Sequence, residues 1–445
     1  SRGLGDVYKR QVLVKAMEEK NLRIWLIKEG ESALPIGEEP VKLMRTGALA
    51  QYLAEEGHQV TWWSSGFIHG TKQYLFHEYR ELQIGERERL ILLHSPIFYK
   101  KNVSLQRVLY HEILAKQFFR KAKAEEKPDV IVCCYPTMPF AKAAIRYGKV
   151  HHIPVILDVR DMWPDIFERV FPEALRPMSR LFLWPLRRSA RKIFQAADAL
   201  VGVVPIALDW ALAYAGRKKS NRDSVIYIGC NRAVLSPEQM ERELQFWSEL
   251  GVTKETWNLC FISTLSDKSV GSDLETVIAA VNEIYQQNPE VRLIVGGTGD
   301  AYERLCKLTE NMPAIVMAGW LNQSQMVSLM SISKCGVYCM RNEAGFKNAF
   351  GNKASQYLSA GLPILTSLTG FPKKCLEQNH CGIVYREGDI EDCAKKILYL
   401  YSCAQERREM ASSAMRLFQD EFEFSIVNRK FEKCIIKNSG QGEEN

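Results

Sequence analysis

Short apolar runs alternate with helical segments along nearly the whole chain, and no other feature restricts the fold as much. In the first half, candidate strands fall at Asn21–Lys28, Gln59–Ser65, Leu90–Pro96, Asp129–Cys134, Pro154–Arg160 and Ala199–Val204. Helical patterns lie between them at Pro40–Gly57, Leu105–Glu126, Pro139–His151 and Pro177–Ala197. Several of the strands, such as the run VIVCCY that contains Cys133 and Cys134, are continuously apolar, as strands covered on both faces must be. That order predicts a parallel, doubly wound sheet. Residues Ala215–Thr256 break the rhythm: they are polar, carry one strand-like piece at Ser224–Gly229, and are expected to form the passage between domains. A second series follows, with strands expected at Asn258–Thr264, Val291–Gly296, Ala314–Gly319, Cys335–Met340, Pro363–Ser367 and Gly382–Tyr385. Its helices are expected at Asp273–Gln287, Ala301–Thr309, Gln323–Ser333, Asn352–Ala360 and Ile390–Tyr401, and Ala404–Ile436 is expected to be helical throughout. The expected division is a leader at 1–20, a first domain at 21–215, a second at 216–415, and a C-terminal helix and tail at 416–445. Two doubly wound α/β domains joined once predict a ligand cleft between them, with ligands at the C-terminal ends of strands.

Composition narrows the classes. Of 445 residues, 46% are hydrophobic and 25% charged, which is ordinary for a globular protein and excludes disorder. The net charge of +7 is too diffuse to argue for a nucleic-acid partner. The twelve cysteines form no CxxC pair, and Cys335 and Cys339 have no flanking histidine pattern, so no metal site is expected. Unpatterned thiols point to a reducing cytosol. No apolar run approaches the roughly 18–20 residues needed to span a bilayer. The first eleven residues, SRGLGDVYKRQ, lack periodicity and are set aside as a leader.

The segment Arg341–Ser367, RNEAGFKNAFGNKASQYLSAGLPILTS, is where this frame predicts chemistry. A loop with Gly345, Asn348 and Gly351 feeds the helix Asn352–Ala360, which stops at Gly361-Leu362-Pro363 and passes into a short strand. A glycine loop opening a helix presents backbone N–H groups and the positive end of the helix dipole, a site suited to a diphosphate. The same pattern also suits an ordinary strand–loop–helix–strand unit.

Three stretches carry a resemblance to a known family. They are RTGALAQYLAEEGHQVTWWSSGFIHGTK (Arg45–Lys72), PVILDVRDMWPD (Pro154–Asp165) and NAFGNKASQYLSAGLPIL (Asn348–Leu365). Together they resemble the glycosyltransferases of family 4, of GT-B fold, and most closely the branch that builds bacterial O-antigen, capsule and exopolysaccharide. The resemblance implies two Rossmann-like domains facing a central cleft, with a C-terminal helix crossing back to the first. It implies retaining transfer of a sugar from a nucleotide diphosphate sugar, a UDP-sugar by class, to a lipid-linked or saccharide acceptor. No cofactor or metal is implied, and the chain has no Asp-x-Asp.

The resemblance also assigns residues. Arg160 and Asp161, with Asn348, are the catalytic candidates. Arg160 would neutralise charge on the leaving oxygen, with an ion pair to Asp161 or Asp165 as its structural alternative. On the donor side it implies Lys268, Gly297, Gly319, Trp320, Phe350, Gly351, Asn352, Lys353 and Gln356. Gly351, Asn352 and Lys353 would offer N–H groups, and Lys353 a cation, to the diphosphate. Lys347 is a weaker candidate as a compensating cation. Gly37 and Arg45 are the acceptor-side candidates, Arg45 facing either the cleft or water. The chain departs from the family where Asn348 and Gln356 stand for two glutamates and Thr264 for an arginine. Those losses keep a second reading open, a non-catalytic binding or partner subunit. His58 and His69 are expected to pack or cap. Finally, Arg176–Lys192 holds six basic residues and no acidic one, interleaved with Leu181, Phe182, Leu183 and Trp184. Such a face suits an anionic membrane surface, or else a packed helix with a solvated basic rim. The location expected is the cytoplasm, peripheral on the inner face of the membrane.

Overall fold

A computed structural model describes residues 21–31, 34–36, 43–101, 104–171, 176–266, 272–343 and 346–440. The chain forms two compact units. The first takes the described residues up to Val203, Ala207–Ile226, and those from Asn428 on; the second takes Val204–Ile206 and Tyr227–Val427.

The first unit runs β1 (Arg23–Ile27), α1 (Arg45–Glu55), β2 (Gln59–Ser65), β3 (Phe67–Ile68), β4 (Gln73–Tyr74), β5 (Arg80–Gly85), β6 (Glu88–Leu93), α2 (Leu105–Lys121), β7 (Val130–Tyr135), α3 (Met138–His151), β8 (Val155–Val159), α4 (Arg176–Ala196), β9 (Ala199–Gly202), α5 (Pro205–Ala215) and β10 (Ser224–Val225). Eight strands line up as β10-β9-β8-β7-β1-β2-β6-β5. All neighbours are parallel except β5, which pairs antiparallel with β6. The apolar strands were legible; β5 was not. Its sequence RELQIG alternates, because a half-exposed edge strand needs only one covered face. The core centres on β1 and β2, where Trp25 meets Trp63 edge-on at 5.2 Å and Trp63 meets Phe118 at 5.0 Å.

The second unit runs α6 (Pro237–Glu249), β11 (Trp257–Ile262), α7 (Leu274–Tyr285), β12 (Val291–Gly296), α8 (Tyr302–Thr309), β13 (Ile315–Gly319), α9 (Gln323–Ile332), β14 (Ser333–Val337), α10 (Asn352–Ser359), β15 (Ile364–Thr366), α11 (Phe371–Gln378), β16 (Gly382–Val384), α12 (Ile390–Ser402) and α13 (Ala404–Leu417). Its six strands, β13-β12-β11-β14-β15-β16, are all parallel. The chain passes from the first unit to the second at Ile226/Tyr227, within Ala215–Thr256, but that segment also holds α6, a helix not expected from the sequence. A Ser236–Gln239 capping box starts that helix. Met240, Leu244 and Trp247 share one face, and Trp247 is buried with its Nε1 donating to Ser328 Oγ at 2.9 Å. Charge on the other face hid the pattern. The C-terminal stretch is likewise not one helix: a π-type turn at Phe418–Phe422 separates α13 from α14 (Phe424–Asn438). Within the first unit, the later part of α14 is tied to α1, with Asn428 Nδ2 donating to the Ala48 carbonyl (3.2 Å) and Tyr52 Oη to Glu432 (3.0 Å).

Candidate functional site

In the second unit, β11, β12, β13 and β14 are parallel, so the loops after Ile262, Gly296, Gly319 and Val337 gather at one edge. Backbone bonds lace these loops together. Ser263 N–H donates to Gly296 O (3.0 Å), Leu265 N–H to Thr298 O (3.0 Å), and Gly297 N–H to Gly319 O (2.6 Å). This approach leaves no room for side chains. A Cβ on Gly297, at φ +134°, would sit 1.8 Å from the Ser263 carbonyl oxygen. Gly297 is thus a close-approach glycine that shapes the edge. Trp320 follows β13 with its side chain largely exposed, at 71%.

The opening of α10 lies at the same edge. Gly351 is its N-cap, and the Gly351 N–H donates to the Tyr338 hydroxyl at 3.2 Å. The expected trio of N–H donors is therefore reduced: Gly351 is engaged within the protein. Asn352 and Lys353 hold first-turn N–H groups, for which a helix supplies no acceptor of its own. Lys353 Nζ lies 3.5 Å from Met326 Sδ on α9, and Gln356 sits one turn further on, half-buried. Phe350 is buried, its ring 5.6 Å from Phe371 and 5.3 Å from Phe422, so it supports the loop from beneath. Asn348 Oδ1 accepts from Phe371 N–H at the start of α11 (2.9 Å), and Gly370 N–H donates to Lys347 O (3.1 Å). Asn348 thereby acts as a loop pin with its amide NH2 still to offer. Lys347 itself is exposed. Sequence reasoning gave Tyr357 no role beyond its place in the motif. The structure shows its ring filling the space a side chain at Gly336 would need, and its hydroxyl accepting from Ile262 N–H (2.9 Å). The pair seats α10 against β11 and β14. Lys268 and Gly37 lie outside the described residues.

The first unit collects charge at its own strand ends. Asp158, buried on β8, accepts from Arg45 Nε (3.1 Å) and Nη2 (3.0 Å) and from Arg160 Nε (2.8 Å). Arg160 also reaches Glu31 Oε1 (3.1 Å) and Thr46 Oγ1 (2.7 Å). Glu31 in turn accepts from Thr46 N–H (3.1 Å) and Gly47 N–H (3.3 Å), capping α1 from outside the helix. Burial alone would raise the Asp158 carboxyl; the Arg45 and Arg160 guanidiniums outweigh it and hold it below its ordinary value. Arg45 does not face water: it is buried within the first unit, and it donates also to the Ile226 carbonyl (3.1 Å). The Asp165 partner offered for Arg160 is corrected too. Asp165 instead takes Arg187, Trp210 Nε1 and Tyr214 Oη, while Asp161 is exposed.

A second group went unread in the sequence. Glu29 is buried where β1 and β7 meet, the point at which strand order reverses. Thr137 Oγ1 donates to it at 3.0 Å, His111 Nε2 lies 3.0 Å away, and Lys28 Nζ 3.4 Å. The available signal was three charges, Lys28, Glu29 and Glu31, directly after an apolar strand. Nearby, the His69 imidazole meets Tyr99 Oη at 2.7 Å and is pushed down to about 4 by burial and by Lys72 and Arg107. His58 accepts from Leu22 N–H (3.1 Å) and pairs with Glu432, a packing role.

Among the described residues, all twelve cysteines are free thiols, and no helix is long and apolar enough to cross a membrane. Comparison with known proteins gives consistent matches. The family described as "Glycosyltransferase Family 4" matches residues 45–233, and "Glycosyl transferases group 1" matches residues 249–416. The sulfoquinovosyl transferase SQD2 of Arabidopsis thaliana is 24% identical over 312 residues, covering 69% of this chain and 56% of that protein, so the match spans little more than half of the relative. Sucrose-phosphate synthase from Thermosynechococcus elongatus superposes with a TM-score of 0.67 at 14% identity, over 93% of this chain and 98% of that one. Anabaena HepE, solved in complex with UDP, gives 0.62 at 15% identity, over 93% and 99%.

Proposed function

The chain belongs to the group 1/family 4 glycosyltransferases, with the GT-B fold, and from that premise we propose that it moves a sugar from a UDP-sugar to a lipid-linked or saccharide acceptor in cell-surface polysaccharide assembly. The observation that carries the reading is the first turn of α10, with the N–H groups of Asn352 and Lys353 at a strand-end edge ringed by glycines. In this reading the donor's diphosphate meets those N–H groups and the helix dipole, aided by the Lys353 and Lys268 cations. Gln356 holds the ribose, and the exposed Trp320 ring offers the base a stacking face. The C1–O bond to the diphosphate breaks as an acceptor oxygen bonds C1 with retained configuration, and the acceptor proton leaves with the UDP. Stabilising the departing charge needs fixed donors aimed at it, which a helix N-terminus supplies without reorganising. Arg160 and Asp161 remain the catalytic candidates of the first unit in this reading, Arg160 oriented by Asp158 and Glu31.

Membrane association belongs to the same proposal. Leu181, Phe182 and Trp184 are exposed on α4 among its basic residues, and an acceptor anchored in lipid would be met there, at the cytoplasmic face. A second reading, a non-catalytic binding subunit, has one observation in its favour: the Asn348 oxygen is already committed to Phe371 N–H. Native mass spectrometry against a panel of nucleotide sugars tests the donor site, followed by measurement of UDP release with lipid-linked acceptors. Binding with release supports transfer. Binding without release across a broad acceptor panel favours the subunit reading, and absence of any nucleotide-sugar complex overturns both.

A further inference from the structure

Helices α3 and α4 enclose an open groove of about 600 Å³ in the first unit. Lys142, Arg146 and Lys149 line it from α3, and Arg188 and Lys192 from α4. No acidic side chain is among its lining residues. Its floor is apolar, including Ile145 and Ile193, and Ser189 Oγ, also in the lining, is buried with no hydrogen-bond partner among the described residues. Five cations around one groove repel one another unless an anion joins them. The three on α3 stand at i, i+4 and i+7, so they share one face.

The groove is continuous with an apolar surface. At about 100° per residue, Met178, Leu181, Phe182 and Pro185 fall on the same stripe of α4 as Arg188, Ser189 and Lys192. Met178, Leu181 and Phe182 are exposed. One face of α4 is thus hydrocarbon towards its N-terminal end and cationic, with a recessed hydroxyl, towards its C-terminal end. That is the outline of an amphiphile: acyl chains at one end and a phosphate at the other. A soluble polyanion would use the cations and leave the apolar end unmatched.

We propose that the α3–α4 groove binds the phosphate of an anionic membrane lipid, with the Met178–Phe182 ridge against the acyl region. This rests on the membrane part of the proposed function and adds what that reading lacks: a headgroup site in which α3, not only α4, decides which lipid is held. Binding through Arg176–Lys192 alone would be governed by surface charge; a groove lined from two helices and floored by a buried hydroxyl makes headgroup identity matter.

The test is co-sedimentation of the full chain with vesicles of phosphatidylcholine, with and without phosphatidylglycerol. Lys142→Ala/Arg146→Ala/Lys149→Ala is compared with a control that removes three exposed lysines of the second unit, Lys254, Lys307 and Lys374. All three α3 positions are exposed, so the variant keeps its core. The expected result is partition onto phosphatidylglycerol vesicles that falls about a hundredfold in the α3 variant, three surface cations being lost, while the control stays within about threefold of the unaltered protein. If the unaltered protein fails to pellet with anionic vesicles, the membrane reading falls and the groove with it. If it pellets but the α3 variant does so equally, or no worse than the control, the groove proposal alone is overturned. If the α3 residues govern retention on heparin but not on vesicles, the groove is a polyanion site and the lipid assignment is wrong.

Discussion

Replacing Asp158 by asparagine isolates the ion network that holds Arg160. The cluster of Arg45, Arg160, Asp158 and Glu31 is balanced, two cations against two carboxylates, and Asp158 touches both cations at 2.8–3.1 Å. At an effective dielectric constant of about 20, a pair at 3 Å interacts by roughly 5 kcal/mol before desolvation is counted. Asp158 and Arg45 are almost fully buried, so the variant leaves an uncompensated cation away from water, a change that costs about 3–5 kcal/mol. Against a total stability of roughly 5–15 kcal/mol this is severe. The informative comparison is Arg45→Gln/Asp158→Asn, which restores neutrality and leaves Arg160 with Glu31. Urea denaturation of the two single variants and the double variant gives a coupling energy, expected at about 2 kcal/mol in the direction that makes the double variant less damaged than the sum. Additivity within about 0.5 kcal/mol would refute the claim that these charges form one balanced unit. It would mean that Arg160 is positioned independently of Asp158 and Arg45.

Three other outcomes follow from the geometry. Gly297→Ala drives a methyl group into the Ser263 carbonyl and is expected to cost about 3 kcal/mol or more, read as a fall in urea midpoint at unchanged slope. Trp320→Ala should leave stability within about 0.5 kcal/mol, because the ring is exposed, yet weaken UDP binding by about 1–3 kcal/mol in calorimetry if the ring stacks on the base. Glu88 is pushed up from 4.5 to about 7 by burial and by Glu55. The folded state therefore holds a proton that the unfolded chain loses. While His69, held neutral in the fold, contributes in the opposite direction between about 4 and 6.5, the Glu88 contribution to stability falls as pH rises from about 4.5 to 7. Glu88→Gln should remove that slope and be more stable than wild type at pH 8 by about 3 kcal/mol, from 2.5 pH units at about 1.36 kcal/mol each; equal stabilities there would contradict the burial argument.

The sequence carried the architecture because the evidence for a covered parallel strand is local. Runs such as RIWLI and VRLIVG are apolar on both faces and read as what they are. The same logic failed where burial was one-sided or where charge masked it, at β5 and α6. The opening of α10 was legible too, since Gly351, Asn352 and the Gly361-Leu362-Pro363 stop are chain-local signals. What the groups at that opening are bonded to was not. Tyr338, thirteen residues earlier, takes the Gly351 N–H, and Phe371, twenty-three later, takes the Asn348 oxygen.

By itself, then, the sequence determined two doubly wound halves and the position of the helix that opens at Gly351, because periodicity and turn chemistry depend on neighbours along the chain. Only the tertiary structure decided which polar atoms remain to meet a ligand. Arg45 and Arg160 have the same formula in an exposed loop as beside Asp158, and Phe350 reads alike as a donor contact or a buried support. A side chain's chemistry is fixed by its residue type, but its availability depends on burial and on partners distant in sequence. For Arg45 and Arg160 those partners are Asp158, Ile226 and Glu31, brought together only when the strands take their order in the sheet.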